Sequence, residues 1–505
     1  MIEYKNFKFT GKIDRRSPFT EGDPNSPIVR ENFISRDMRN RPVKGTEAIN
    51  TKTFTSEPKW IARYYSGESS VISPKTFIYT KDGRLWTLLE PQNYKYKQIK
   101  ESLNTGAYPK QVLFKLGDQN IMYFVDGLNL YKYDGNNDFL FEKVDTADSQ
   151  GDSIEPIDLI EHKDRLILLT KTHLSVSKNL APDVHNDPTD SIHIIVGSGQ
   201  GRNLALGKIE DRLYIFNTEG IFALVGDTIS ALAITFEIRK VDDHRLITSR
   251  SLQLVEGALV GIFDDFNLWS WNGSRITKLS HEEKLEDFIN KKPDMLEKMV
   301  SVYEDNFYKL SFVETGTYHN NLEIWYDAFT QNIDFVRGRN VAHYLEVDKT
   351  KEEQFYMFAH SSSNKIMWAE RGAQFDKSDI ILRLKTRNII PYQGRNVRFY
   401  GFYPEIEPIG TRYVTITYLL DGRLGGTWKN WSQVTTGETV GLGMISFQNQ
   451  TEVVHRVRPQ IKHSRGHSIA FDINIKGFNT TDWGLVSLGM EYIPKARIKG
   501  RGVSK

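Results

Sequence analysis

Along most of the chain, short apolar runs end at Gly, Asp, Asn or Ser and are followed at once by a second apolar run. "TFIYTKDGRLWTL" from Thr76, "IMYFVDGLNLYKY" from Ile121, "RLILLTKTHLSVSK" from Arg165, "RLYIFNTEGIFAL" from Arg212 and "ALVGIFDDFNLWSW" from Ala258 all have this form. "FYKLSFVETGTYHNNLEIWY" from Phe307 and "FYMFAHSSSNKIMWAE" from Phe355 are looser versions. Each reads as a strand, a tight turn and a second strand, because turn residues interrupt runs too short for helices. Further strands fit before each hairpin (Gln111 to Leu116, Leu204 to Lys208) and after it (Phe139 to Val144, Arg275 to Leu279).

One position in the second strand fixes the register. Leu85-Trp86, Leu130-Tyr131, Leu174-Ser175, Ile221-Phe222, Leu268-Trp269, Ile324-Trp325 and Met367-Trp368 recur at intervals of 45, 44, 47, 47, 56 and 43 residues. A period near 45 with four strands per unit is the signature of a β-propeller blade. The aromatics then fill the wedges between blades. The long interval holds a helical pattern near 281–298, where Leu285, Phe288 and Ile289 share a face and Pro293 suits a helix start. It reads as an insertion in a regular array. The expectation is a propeller of six or seven four-stranded blades over 56–387.

The pattern changes beyond "NIIPYQGRN", Asn388 to Asn396. In "SIAFDINI", Ile469, Phe471, Ile473 and Ile475 point one way and Ser468, Ala470, Asp472 and Asn474 the other, as in a half-buried antiparallel strand. "RYVTITY", "NVRFYGFYPEI", "EVVHRVRPQI" and "GLVSLGMEYI" complete a β-sandwich or jelly-roll-like domain over 388–494. The fold class is therefore all-β. Residues 1–55 carry Pro18, Pro24, Pro27 and Pro42 with little periodicity and read as an extended arm. Residues 495–505 form a basic flexible tail with Lys495, Arg497, Lys499 and Arg501 and no acid.

Composition sharpens this in three ways. Aromatics reach 12% of 505 residues, which favours pleated surfaces. The net charge of +2 gives no general basic excess for nucleic acid. The absence of cysteine excludes disulfides and thiolate chemistry. The N-terminus shows no apolar signal-peptide core, and no apolar run of about 18 residues predicts a membrane span.

Chemical motifs are sparse. "GSGQGRN", Gly197 to Asn203, follows a strand but opens no helix, so it reads as a loop and not a phosphate cradle. "DVHNDPTDSIH", Asp183 to His193, bunches three Asp and two His without EF-hand spacing. His463 and His467 flank a turn with no third ligand evident. "LDGRLGGTWKNW" approaches the turn box of propeller glycosidases, but Arg423 stands where that box has Asp. No nucleophile–base pair is evident. The expectation is a non-catalytic protein without cofactor or metal.

The arm carries a resemblance. Arg15, Arg16, Ser17, Pro18 and Phe19, then Asn32, Phe33, Arg41 and Pro42, resemble the opening of propeller proteins in tailed-bacteriophage virions, and "GMEYIP" (Gly489 to Pro494) resembles their closing strand. The resemblance implies a tail nozzle or packaged-DNA-stabilisation type of subunit in the virion tail, made in the host cytoplasm. Such a subunit forms a ring with copies of itself, a hexamer in the usual case. It meets other tail or portal and adaptor proteins and contacts genomic DNA transiently. Family members of this type have six blades, so one of the seven units here would belong to the following domain. Arg15, Arg16, Phe19, Phe33 and Arg41 become candidates for clamping a neighbouring subunit. Lys495, Arg497, Lys499 and Arg501 become candidates for touching a partner or DNA. Two other readings stay open: a tail adhesin or depolymerase acting on glycans, and a cellular propeller scaffold.

Overall fold

Asp126 shows how the local pattern becomes a sheet. Its buried carboxylate accepts the backbone N–H groups of Leu128 (3.1 Å) and Asn129 (2.8 Å), closing the turn between two strands. Its other oxygen accepts the N–H of Asn104 at 3.0 Å, tying the preceding loop to the same turn. Gly127 sits at φ +87°, and a Cβ there would lie 2.5 Å from the Ala107 side chain, so the Asp-Gly pair is required twice over. Thr170, Asn217 and Asp265 accept backbone N–H groups in the corresponding turns of later units.

The computed structural model describes residues 3–15, 23, 25–36, 39–49, 53–66, 74–89, 95–136, 139–148, 151–226, 229–230, 233–281, 283–346, 357–369, 371, 374–391, 397–406, 412–421, 423–432, 465–476 and 485–494. The chain forms two compact units. One comprises Ala48–Glu323 and Arg339–Ala369; the other comprises Met1–Glu47, Ile324–Gly338 and Glu370–Lys505.

The first unit is a β-propeller. Blade 1 has the order Pro58–Tyr64, Lys75–Thr80, Leu85–Leu89, Lys95–Lys100, each strand antiparallel to the next. Blades 2 to 5 repeat this order, starting from Lys110–Leu116, Asp158–His162, Asn203–Ile209 and Gln253–Val255. Blade 6 contributes the hairpin Val300–Glu304 and Phe307–Phe312. Blade 7 contributes Val341–Tyr344, Met357–His360 and Ile366–Trp368. The chain leaves this unit within strand Leu322–Asp327 and re-enters it at Arg339.

The first strand of each blade is the innermost, and the inner strand of blade 7 packs beside that of blade 1. The ring is therefore closed with seven blades. The loosest of the seven sequence repeats is a propeller blade and not a part of the following domain. Apolar clusters fill the wedges. Trp60, Phe77 and Tyr79 of blade 1 pack with Phe124, Tyr131 and Tyr133 of blade 2. Ile215 and Phe222 of blade 4 pack with Ile167 and Leu174 of blade 3. Phe54, Ile61, Ile78 and Leu88 pack with Met357, Ala359, Ile366 and Trp368 where blade 7 meets blade 1. The N–H groups of Ile49 and Phe54 donate to the carbonyls of Ile366 (3.0 Å) and Asn364 (2.8 Å), so the start of the unit latches onto its last blade.

The second unit is a sandwich of two sheets. One has the order Phe33–Arg36, Arg39–Pro42, Leu485–Pro494, Val397–Ile406, Arg465–Gly466, with Glu3–Phe7 also pairing to Leu485–Pro494. The other includes Ile333–Arg337, Val29–Glu31, Leu382–Lys385, Ile469–Lys476, Arg412–Leu420 and Arg423–Ser432 in that order. Phe402 of the first meets Phe471 of the second edge to face at 5.3 Å. Ile469, Phe471, Ile473 and Ile475 are buried and Asp472 and Asn474 half-exposed, as the alternation predicts, but Ser468 and Ala470 on the opposite face are buried too.

Three boundaries differ from the sequence reading. Much of the arm is strand: Arg30 is buried and pairs with Asp334 at 2.5 Å, while Arg387 pairs with Asp14. The propeller ends at Ala369, not at 387, because the strands that follow pair within the sandwich. The helical pattern near 281–298 yields only a 3-10 turn, Leu285–Asp287, and one helical turn, Pro293–Leu296. Its backbone is bonded elsewhere: Asn290 N–H donates to Val313 O, and Thr315 N–H to Phe288 O.

Truncating a closure residue should be far more costly than truncating a surface one. Phe54→Ala is expected to destabilise the propeller by about 3–5 kcal/mol. Leu140→Ala, at a side chain 60% exposed, should stay within about 0.5 kcal/mol. Urea midpoints of the propeller transition, followed by tryptophan fluorescence, check the pair.

Candidate functional site

Radial closure brings one strand from every blade to the axis. A cavity of about 360 Å³ lies there, lined among others by Gln111, Asp158, Leu206, Gln253, Ser301 and His343 from blades 2 to 7 and by Ile61 from blade 1. Asp158 is buried, and burial raises its pKa although Leu206 and Leu159 donate backbone N–H groups to it at 2.9 Å. His343 Nδ1 lies 2.8 Å from the Tyr344 carbonyl. Burial, then the charges of Arg250 and Lys110, hold its pKa well below the ordinary value.

A second cavity, of about 450 Å³, lies at one mouth of this axis. It is lined by residues just before or at the start of inner strands (Lys59, Tyr108, Arg250, Lys298) and by turns between second and third strands (Lys81, Tyr318 to Asn320, Ser361, Ser362). Four of its lining side chains are Lys or Arg, against the single carboxylate of Glu57, which pairs with Lys81 at 2.5 Å.

Two of these cations are buried with no carboxylate in ion-pair contact among the described residues. Lys59 is 5% exposed, and its Nζ donates to the carbonyls of Thr105 (2.9 Å) and Ala107. Arg250 is 7% exposed and donates to the carbonyls of Ala342 (2.7 Å), Glu297 (3.3 Å) and Lys298 (3.4 Å). The Tyr108 ring lies between them, 3.9 Å from the guanidinium carbon and 5.3 Å from the ammonium. Burial brings Arg250 down to about 10. Burial, then the charges of Arg250 and Lys81, brings Lys59 down to about 8, with Asp126 acting the other way. Lys298 is also lowered, by burial and then by Lys81, and donates to the Tyr318 carbonyl at 2.7 Å. Asn320 is 1% exposed; its amide donates to the carbonyls of Lys298 and Val341, both at 2.7 Å, and its Oδ1 has no partner among the described residues.

The residues singled out from sequence lie elsewhere. Phe33 is buried within the sandwich, in the hairpin opposite Pro42, so its ring belongs to its own unit. Arg15 is half-buried and Arg41 exposed. Arg16, Phe19, Lys495, Arg497, Lys499 and Arg501 lie outside the described residues. The acids of Asp183 to His193 are individually engaged: Asp183 with Tyr123 and Lys132, Asp187 with Lys178, and Asp190 with Arg165. No cluster of three or more metal-ligating side chains occurs among the described residues. In "GSGQGRN" the Glu219 carboxylate accepts the Ser198 N–H at 3.0 Å and its hydroxyl, so an internal acid occupies the loop. His463 lies outside the described residues, and the His467 N–H donates to Asp421 at 2.9 Å.

Sequence reasoning missed the cationic mouth because its residues sit on five different blades. The usable signal was positional. Lys59, Tyr108, Arg250 and Lys298 fall within three residues of the start of their inner strands, a register that the 45-residue period defines.

No family model and no curated protein matches the chain. Among solved structures it is similar to the AfRom2 CNH domain, with a TM-score of 0.38 and 10% identity over 64% of this chain and 98% of that one. It is similar to the computationally designed Ika8 protein, with a TM-score of 0.36 and 10% identity over 66% and 92%. The extracellular domain of a hybrid two component system from B. thetaiotaomicron gives 0.32 and 12% over 73% and 44%. Likeness at this level carries no functional conclusion, and the propeller assignment rests on the seven sheets themselves.

The lowered Lys59 has a measurable consequence. Between about pH 8 and the ordinary 10.5, the unfolded chain binds more protons at this position than the folded one. Its contribution to stability therefore rises with pH across that window. The stability difference between the native protein and Lys59→Met should grow from pH 8 to pH 10 by on the order of 2 kcal/mol. Thermal melts at the two pH values check it; an unchanged difference contradicts it.

Proposed function

We propose that this chain is a non-catalytic structural subunit of a bacteriophage tail that forms a ring around the path of the DNA. The observation that carries the reading is where the resembling segments lie. Asn32, Phe33, Arg41 and Pro42 near the start and Gly489 to Pro494 at the end are remote in sequence, yet they meet in one sheet. Phe33 pairs with Pro42, Asn40 of the same hairpin with Leu485, and Glu3–Phe7 runs along Leu488 to Tyr492. Asn32, at φ +60°, donates to the Ile381 carbonyl and accepts the Arg337 N–H, both at 2.7 Å, which fixes the hairpin within its unit. Short motifs that jointly define one folded element are harder to match by accident than isolated ones.

A rigid propeller joined in one chain to a sandwich suits a part that must hold shape while a polyanion passes. The near-neutral net charge limits non-specific retention of DNA. Ring partners, portal or adaptor contacts and DNA contact belong to this proposal.

Antibodies raised against the purified 58.3 kDa chain test it on virions. Gold label is expected at the tail, and averaged images of labelled particles should show several copies around the tail axis. Label on the capsid, or virions that lack the chain, would overturn the reading.

A further inference from the structure

The cavity at the propeller mouth holds two buried cations whose hydrogen bonds, among the described residues, all go to carbonyl oxygens. We infer that the cavity at the mouth of the propeller axis binds an oxyanion group (phosphate, sulfate or carboxylate) carried on a small hydroxylated molecule, held between Lys59, Arg250 and Lys298. This inference is independent of the tail reading and holds for a propeller in any setting.

Three observations carry it. The first is charge without an adjacent counter-ion. Lys59, Arg250 and Lys298 line one cavity of about 450 Å³, and none of them has a carboxylate within ion-pair distance among the described residues, although Asp126 acts on Lys59 and Asp294 and Glu57 act on Lys298 from further away. Charges of one sign gathered in a concave, poorly hydrated space repel one another and raise the field that an anion meets. The second is construction. Arg250 is fixed by three carbonyls and by the Tyr108 face, so its remaining N–H donors are oriented before any ligand arrives. Lys59 is held by the loop carbonyls of Thr105 and Ala107, and that loop is anchored through Asn104 to the buried Asp126. The third is the Oδ1 of Asn320, which has no hydrogen-bond partner among the described residues. Its amide nitrogen is committed to two carbonyls, and the buried oxygen, in a residue that lines the cavity, would accept from a ligand hydroxyl that reaches it. Acceptor and cations line the same cavity, which matches an acidic sugar or a phosphosugar better than a bare ion.

Two arrangements already present in this chain show the contrasting outcome. The Ser198 loop receives an internal carboxylate from Glu219, and buried Lys309 receives one from Glu304 at 3.2 Å. At the mouth, Glu57 is paired with Lys81, and no carboxylate lies within ion-pair distance of Lys59, Arg250 or Lys298 among the described residues.

Isothermal titration of the intact chain tests the inference. The probes are inorganic phosphate, sulfate, glucuronate, glucose 6-phosphate and glucose, at constant ionic strength. Saturable binding of at least one anion is expected, with glucose silent. Stronger binding of glucose 6-phosphate or glucuronate than of the inorganic ions would support a sugar-borne oxyanion; equal binding would overturn the hydroxylated carrier and leave a site for the free ion. Lys59→Met and, separately, the less buried Lys298→Met should each weaken binding by about tenfold or more. The second variant keeps the test valid if the first fails to fold. No saturable binding of any anion, or equal binding by the native protein and Lys298→Met, would overturn the inference.

Discussion

The propeller depends on closure of its ring. Each blade is a small twisted sheet that cannot bury both faces alone, and six of the seven junctions follow from chain neighbours packing on each other. The seventh joins residues nearly 300 positions apart: Ile61, Ile78 and Leu88 against Met357, Ile366 and Trp368. Each fully buried side chain of this size contributes roughly 1.5–3 kcal/mol relative to exposure. Phe54 and Ile49 add a latch, since the segment before blade 1 bonds the last strand of blade 7. Without that junction, the facing apolar sides of blades 1 and 7 would be exposed to solvent.

Closure also explains why the charged site lies where it does. Seven inner strands converge on the axis, so the residues at their starts are drawn together although tens of residues separate them in sequence. Lys59, Arg250 and Lys298 need no shared motif to meet; they need only the same place in their repeats. The turn that closes on Asp126 then serves two purposes. It fixes the hairpin of blade 2, and through Asn104 it sets the loop whose carbonyls hold Lys59 and whose Tyr108 lies against Arg250. Fold and candidate site share one buried carboxylate.

The sequence was most legible where structure is local. Asp126-Gly127 and the aliphatic–aromatic pairs mark hairpins whose partners lie within a few residues, and the alternation of Ile469 to Ile475 marks a buried face. It was least legible where pairing is remote. Glu3–Phe7 carries no local sign that its partner is Leu488 to Tyr492, so the first segment read as an arm. The helical pattern at Leu285 to Ile289 was outweighed by backbone bonds to Val313 and Thr315, a tertiary override that periodicity does not contain. The mouth cations were invisible because burial without an adjacent counter-charge is a property of assembled blades, not of any one stretch.

The account makes the propeller mouth a built anion site held in shape by ring closure. A crystal of the protein soaked with tungstate, measured at the tungsten absorption edge, tests this most directly. The predicted result is an anomalous peak within hydrogen-bonding distance of Lys59, Arg250 and Lys298. Peaks confined to exposed surface lysines, with none at the mouth, would contradict it.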